Sequence, residues 1–246
     1  MTTSNPAFQG TIYQDWAAAD ARGTTMTIQG TAVKTMILLA IAAVTAGLSW
    51  QEMAGGGAMM FPVMIGSAVL GMIFAFVTIF KPTWAATTAP IYAALEGVFL
   101  GALSCVIEAR YKGIAFQAVS LTMMTLFVML VLYSSRIIKV TQRLQMGIIA
   151  ATGAVALLYF VTIILSLFHV SVPFIHSAGP VGIAFSLFVV GLAAFNLLLD
   201  FDYIEKSAAH GAPKAMEWYG AFGLIVTLVW LYLEILRLLQ KLQDRR

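Results

Sequence analysis

The stretch FPVMIGSAVLGMIFAFVTIF, residues 61–80, decides the reading of this chain, because it carries no charged side chain at all. At about 1.5 Å per helical residue it measures ~30 Å, the thickness of a bilayer's hydrocarbon core. Working outward, six more stretches meet or approach the same pattern: Val33–Trp50 before it, then Ala89–Ile107, Ile114–Tyr133, Met146–Phe168, Pro180–Leu199 and Trp218–Leu239. The expected fold class is all-α, an integral membrane bundle of seven helices. The expected organisation is a polar N-terminal arm over residues 1–30, a seven-span domain over 31–240 and a charged tail over 241–246.

Composition agrees. Of 246 residues, 61% are hydrophobic and 10% charged, where a soluble domain has about 25% charged residues. Mean hydropathy is +0.91. The net charge of +3 comes from Lys and Arg in loops and the tail rather than from a basic face interleaved with aromatics, so nucleic acid is not an expected partner. A single cysteine, Cys105, rules out an intrachain disulfide and a cysteine-based metal cluster. The polar start, with Asp15, Asp20 and Arg22, does not resemble a cleaved signal peptide, so the first helix is expected to stay in the mature protein. Pro62, Pro82, Pro90, Pro173, Pro180 and Pro213 are expected in connections or at span ends, where a missing N–H costs little.

Orientation follows from Lys and Arg in short loops. With a cytoplasmic N-terminus the inner side holds Arg22, Lys34, Lys81, Arg136, Lys139, Arg143, Lys206 and Lys214, and the outer loops hold Arg110 and Lys112. An odd number of spans then places Arg237, Lys241, Arg245 and Arg246 outside, against the rule. Either the last segment is re-entrant or the earlier helices set the topology and the tail follows; its length and apolar character favour the second. The expected localisation is an integral, multi-pass one with the N-terminus cytoplasmic.

Acids in such segments are functional candidates, because an ionised carboxylate in hydrocarbon costs several kcal/mol. Asp200 and Asp202 are expected at the inner end of the sixth span, turned about 200° apart on the helix, and Asn196 shares a face with Asp200. Glu96 is expected roughly 10 Å in from the inner side. It is flanked by Gly97 and Gly101 in the small-xxx-small spacing that lets helices approach closely, so it should face the bundle. Glu234 lies three residues before Arg237, a spacing at which side chains pair on one face, and the two read as an outer rim pair. Such acids can guide a cation; each also has a plain reading as an interfacial, hydrogen-bonded or paired residue.

His169 and His176 flank Pro173 in the fifth connection without nearby Cys, Asp or Glu, so no metal site is identified. A retinal protein needs a lysine midway along its last helix, and Trp218–Leu239 has none. An intramembrane serine protease needs a His at depth, yet all three His lie in or beside connections. With no phosphate-binding glycine loop and no zinc-protease motif, an enzyme and a bound cofactor are not expected. Expected partners are the lipid bilayer and a cation or protons as cargo.

Leu-Asp-Phe-Asp-Tyr-Ile-Glu at 199–205 resembles the sixth-helix segment of the Bax inhibitor-1 (transmembrane BAX inhibitor motif) family. Residues 217–239, from Glu-Trp-Tyr-Gly to Leu-Arg-Leu-Leu, look like its last helix, and Pro-Ile-Tyr-Ala-Ala-Leu-Glu-Gly at 90–97 is similar to its third. The resemblance implies a bundle whose last helix is surrounded by the other six. It further implies a pH-sensitive calcium leak closed by two aspartates that share a proton. Asp202 matches the first aspartate, whereas the second falls at Thr227, which cannot ionise. Either Glu96 supplies the second acid or the paired-acid gate is lost; Lys81 is a candidate basic partner for Asp202. The alternative function is a regulatory membrane protein that restrains a membrane protease or a cell-death partner without transporting.

Overall fold

The computed structural model describes residues 25–56, 59–168 and 179–245. Seven helices, each long and apolar enough to cross a membrane, make up the described chain: α1 (Ile28–Ala54), α2 (Met60–Phe80), α3 (Ala85–Arg110), α4 (Ile114–Ser134), α5 (Gln142–Leu167), α6 (Pro180–Ala209) and α7 (Met216–Gln243). The arm before Thr25, His169, Pro173, His176 and Arg246 lie outside the described residues.

The helices outrun the apolar stretches at several ends. Thr27 caps α1 by accepting from the Gly30 N–H, so helix begins five residues before Val33, and Thr141 caps α5 in the same way through Leu144. Oxygen side chains at such positions satisfy donors that a helix start leaves unpaired. A 3₁₀ turn over Pro82–Trp84 leads directly into α3, which places Pro90 inside a helix rather than at its end. α6 continues from Leu199 to Ala209, so Asp200 is not at a helix end.

The most extensive packing is between α1 and α3, followed by α2 with α3 and then α6 with α7. Glycines set the α1–α3 distance: a Cβ at Gly97 would meet Thr45 and the Ala42 carbonyl, and one at Gly101 would meet Ser49 and the Ala46 carbonyl. Ser49 also donates across this seam to the Val98 carbonyl at 2.9 Å. α7 packs against α1, α3, α4 and α6 and supplies Leu228, Leu231, Ile235 and Leu236 to the main core. α5 is peripheral, joined to α6 through Ile148, Val155, Val189 and Leu192.

Two ties mark the ends of the bundle. At the end holding the start of α1, here the N-face, Met26 N–H donates to the Ala212 carbonyl at 2.7 Å, and Thr25 bridges Pro213. At the opposite end Tyr111 donates to Asp244, and Arg110 lies 3.5 Å from the same carboxylate. That bond holds the Tyr111 hydroxyl above its ordinary pKa, since ionisation would set a phenolate against Asp244. α7 therefore crosses the bundle completely and is not re-entrant.

Candidate functional site: the acids along α6 and α7

Asp200 lies nine residues before the N-face end of α6, about 14 Å along its axis, and Thr227 eleven residues into α7, about 16 Å. The two meet at one level. The Thr227 side chain faces the Asp200 carboxyl, and a Cβ placed on Gly223 would lie 3.8 Å from Asp200 Oδ1. Gly223 therefore stands in the immediate neighbourhood of the carboxyl, where a methyl would make ordinary contact with it. Asp200 Oδ2 is buried with no hydrogen-bond partner among the described residues. Buried polar atoms nearly always find a partner, so an orphaned carboxylate oxygen asks for an explanation.

The expected partner of Thr227 was Asp202, and this the geometry corrects. Asp202 pairs with Lys206 one turn on, at 2.6 Å, and the lysine is 58% exposed. The cause is the ~200° turn between positions two apart on a helix: with Asp200 directed at α7, Asp202 is carried away from it. Asn196, one turn before Asp200 on α6, donates to Thr152 of α5 at 2.9 Å and to the Leu192 carbonyl.

Glu96 faces α2, where its Oε1 would lie 3.2 Å from a Cβ on Gly71, and it neighbours Tyr92 one turn back. Tyr92 packs edge-on against Phe222 of α7, with ring centroids 5.1 Å apart. The Tyr92 ring thus stands between Glu96 and Phe222 of α7, and no hydrogen bond joins Glu96 to Asp200 or Asp202 among the described residues. Gly97 and Gly101 are used against α1, which turns the adjacent Glu96 toward α2. Lys81 is not the partner of Asp202 either: its ammonium lies 5.4 Å from the Trp84 ring centroid.

Glu234 and Arg237 do pair, at 2.8 Å, but Glu234 is 1% exposed and so belongs to the interior rather than to a rim. Tyr159 of α5 donates to Glu234 Oε2 at 3.1 Å and accepts from Arg237 at 2.7 Å, which closes a buried triad between α5 and α7. Every oxygen of this acid has a partner, in contrast to Asp200.

Two buried charges escaped sequence reasoning. Glu217, in the first turn of α7, is fully buried; its Oε1 accepts from Thr27 N–H at 3.0 Å and from Thr27 Oγ1 at 2.9 Å, while Oε2 pairs with Lys34. Gly30 leaves the space for this carboxylate, which a Cβ there would strike. The second is Lys241, which donates to the Gly182 carbonyl at 3.0 Å and to Ser186 at 2.8 Å. Lys34 and Glu217 each stood near the start of an apolar segment, a detectable signal, yet only the fold brings positions so far apart together. Among the described residues no three His, Cys, Asp or Glu converge on a point where a metal could sit.

The fold and these acids define an integral, multi-pass membrane protein with titratable groups held between its helices. A model of the family described as Bax inhibitor 1 like matches residues 5–244, nearly the whole chain, and the protein belongs to that family. Neither curated proteins nor solved structures give a significant match.

Proposed function

We propose that this protein is a pH-modulated cation leak, with Ca²⁺ as its cargo, whose controlling acid is Asp200. The observation that carries the reading is the buried Asp200 Oδ2 without a hydrogen-bond partner, beside Thr227 and Gly223 on α7. A buried carboxylate is costly unless paired. A passing cation or a proton is the group that relieves that cost, and the two compete for the same oxygen. Protonated, Asp200 closes to cations; ionised, it draws them in. Family membership supports transport of this kind; Asp202 serves the same path nearer the N-face, with Lys206, and Glu96, at about the depth of Asp200 but directed toward α2, is a second acid beside that path. The Lys and Arg bias of the loops supports a cytoplasmic N-face, and the polar N-terminal arm, which looks like that of the family's bacterial branch, supports a bacterial inner membrane.

The test is Ca²⁺ flux into proteoliposomes of purified protein across a pH series. Asp200→Asn, which keeps shape and removes the charge, should abolish the pH dependence of the leak and lower its maximum. Asp202→Asn should have the smaller effect. Flux that ignores Asp200→Asn at every pH would overturn the reading and return the regulatory alternative, in which the intramembrane acids are dispensable.

A further inference from the structure

Away from the acids, a hollow of about 420 Å³ opens between α1, α3, α4 and α7. α1 and α4 form its two sides and make little contact with each other. Along α1 it runs from Leu39 to Trp50, eleven residues or ~16 Å, which is half of a ~30 Å hydrocarbon core and so one leaflet deep. Phe116 and Val119 of α4 stand on the opposite side and are exposed.

The polar side chains in its walls are already occupied. Ser104 and Tyr232 share a hydrogen bond of 2.6 Å, and Thr122 donates to the Ala118 carbonyl at 2.7 Å. A polar ligand would find no partner inside, and an apolar one loses nothing by entering. The mouth differs. The end of α3 carries Arg110, 74% exposed and 3.5 Å from the Asp244 carboxylate, and the α3–α4 turn carries the exposed Lys112, two residues before α4, whose first turn lines the hollow. Trp50, at the same end, is the kind of residue that settles at headgroup level.

We propose that this groove holds one acyl chain of a membrane phospholipid, with its phosphate against Arg110 and Lys112. A chain one leaflet long fills an apolar slot one leaflet deep, and the two cations meet the headgroup where the slot ends. The bound chain replaces the missing contact between α1 and α4, so the lipid acts as a removable piece of the bundle wall.

The experiment uses the purified full chain in vesicles containing phosphatidylglycerol with a diazirine at the end of one acyl tail. After irradiation, adducts should concentrate on peptides covering residues 119–123 of α4 and exceed those on Leu157 and Phe160, which face the surroundings from α5 and report bulk lipid. Gly47→Trp should bring the α4 adducts down to the α5 level, because a Cβ at Gly47 meets nothing within 4 Å and its ring would enter the groove. Ala43→Phe, at another exposed lining position, should do the same and covers the case in which the first variant fails to fold. Arg110→Gln with Lys112→Gln should lower the yield from phosphatidylglycerol while leaving that from a diacylglycerol of the same tail unchanged. Adducts no richer on α4 than on α5, or insensitive to both plugging variants, would overturn the proposal, as would crosslinks joining two chains or joining the groove to residues 1–24. Equal loss of both lipids would overturn the assignment of the headgroup.

Discussion

Replacing Glu217 with Leu should unfold the N-face more than any change to an exposed charge. Glu217 is fully buried, and its carboxylate receives Thr27 twice and Lys34 once. Removing one partner of a buried ion pair leaves the other uncompensated, which costs about 3–5 kcal/mol. Lys34, only 16% exposed at its side chain, would be that uncompensated group. For a chain of this size each kcal/mol lowers Tm by about 2–4 °C, so Glu217→Leu should lower it by roughly 10 °C. The assay is thermal unfolding in detergent micelles, run as a double-mutant cycle with Lys34→Met. The double variant removes both charges together, so it should be more stable than the sum of the single losses predicts, with a coupling of about 2 kcal/mol. Single losses below about 1 kcal/mol that simply add would mean a solvated pair worth no more than a surface one, and would refute the tie between α1 and α7.

Three further outcomes are expected. Thr227→Asp restores a second acid beside Asp200, and two carboxylates in contact titrate as a unit; the pH response of Ca²⁺ flux should sharpen, and Asp200→Asn should cancel the change where Asp202→Asn does not. Equal suppression by both would show that the pair is not specific to position 200. Glu96→Gln should retain the fold and the Tyr92 neighbour yet alter flux or its pH profile, measured in the same vesicles; unchanged flux throughout would make Glu96 structural. In a Cys105→Ser background, cysteines at Ser135 and Lys112 should label from opposite sides with an impermeant thiol reagent, Ser135 from the cytoplasm. Labelling from one side would contradict the orientation.

Family-level features were legible without coordinates because they are local. A run such as residues 61–80 states its own environment, since backbone in hydrocarbon must satisfy its hydrogen bonds within the segment, and seven such runs state a bundle. Gly97 and Gly101 likewise announced a close seam by their spacing, and α1 fills it. Helix ends were less legible: Thr27 and Thr141 extend helices through capping bonds that hydropathy does not register, and Pro90 is carried inside α3 by the turn before it.

The sequence by itself determined that the acids are in the membrane and that Asp200 and Asp202 point apart. Only the tertiary structure decided which of them faces Thr227, because helical periodicity fixes relative directions and leaves the rotation of α6 against α7 to packing. The same limit hid the Lys34–Glu217 pair and moved Glu234 from a rim into the interior. A charge at a given depth is written in the sequence, whereas its partner is chosen by helices that approach one another through glycines and small residues far apart in the chain.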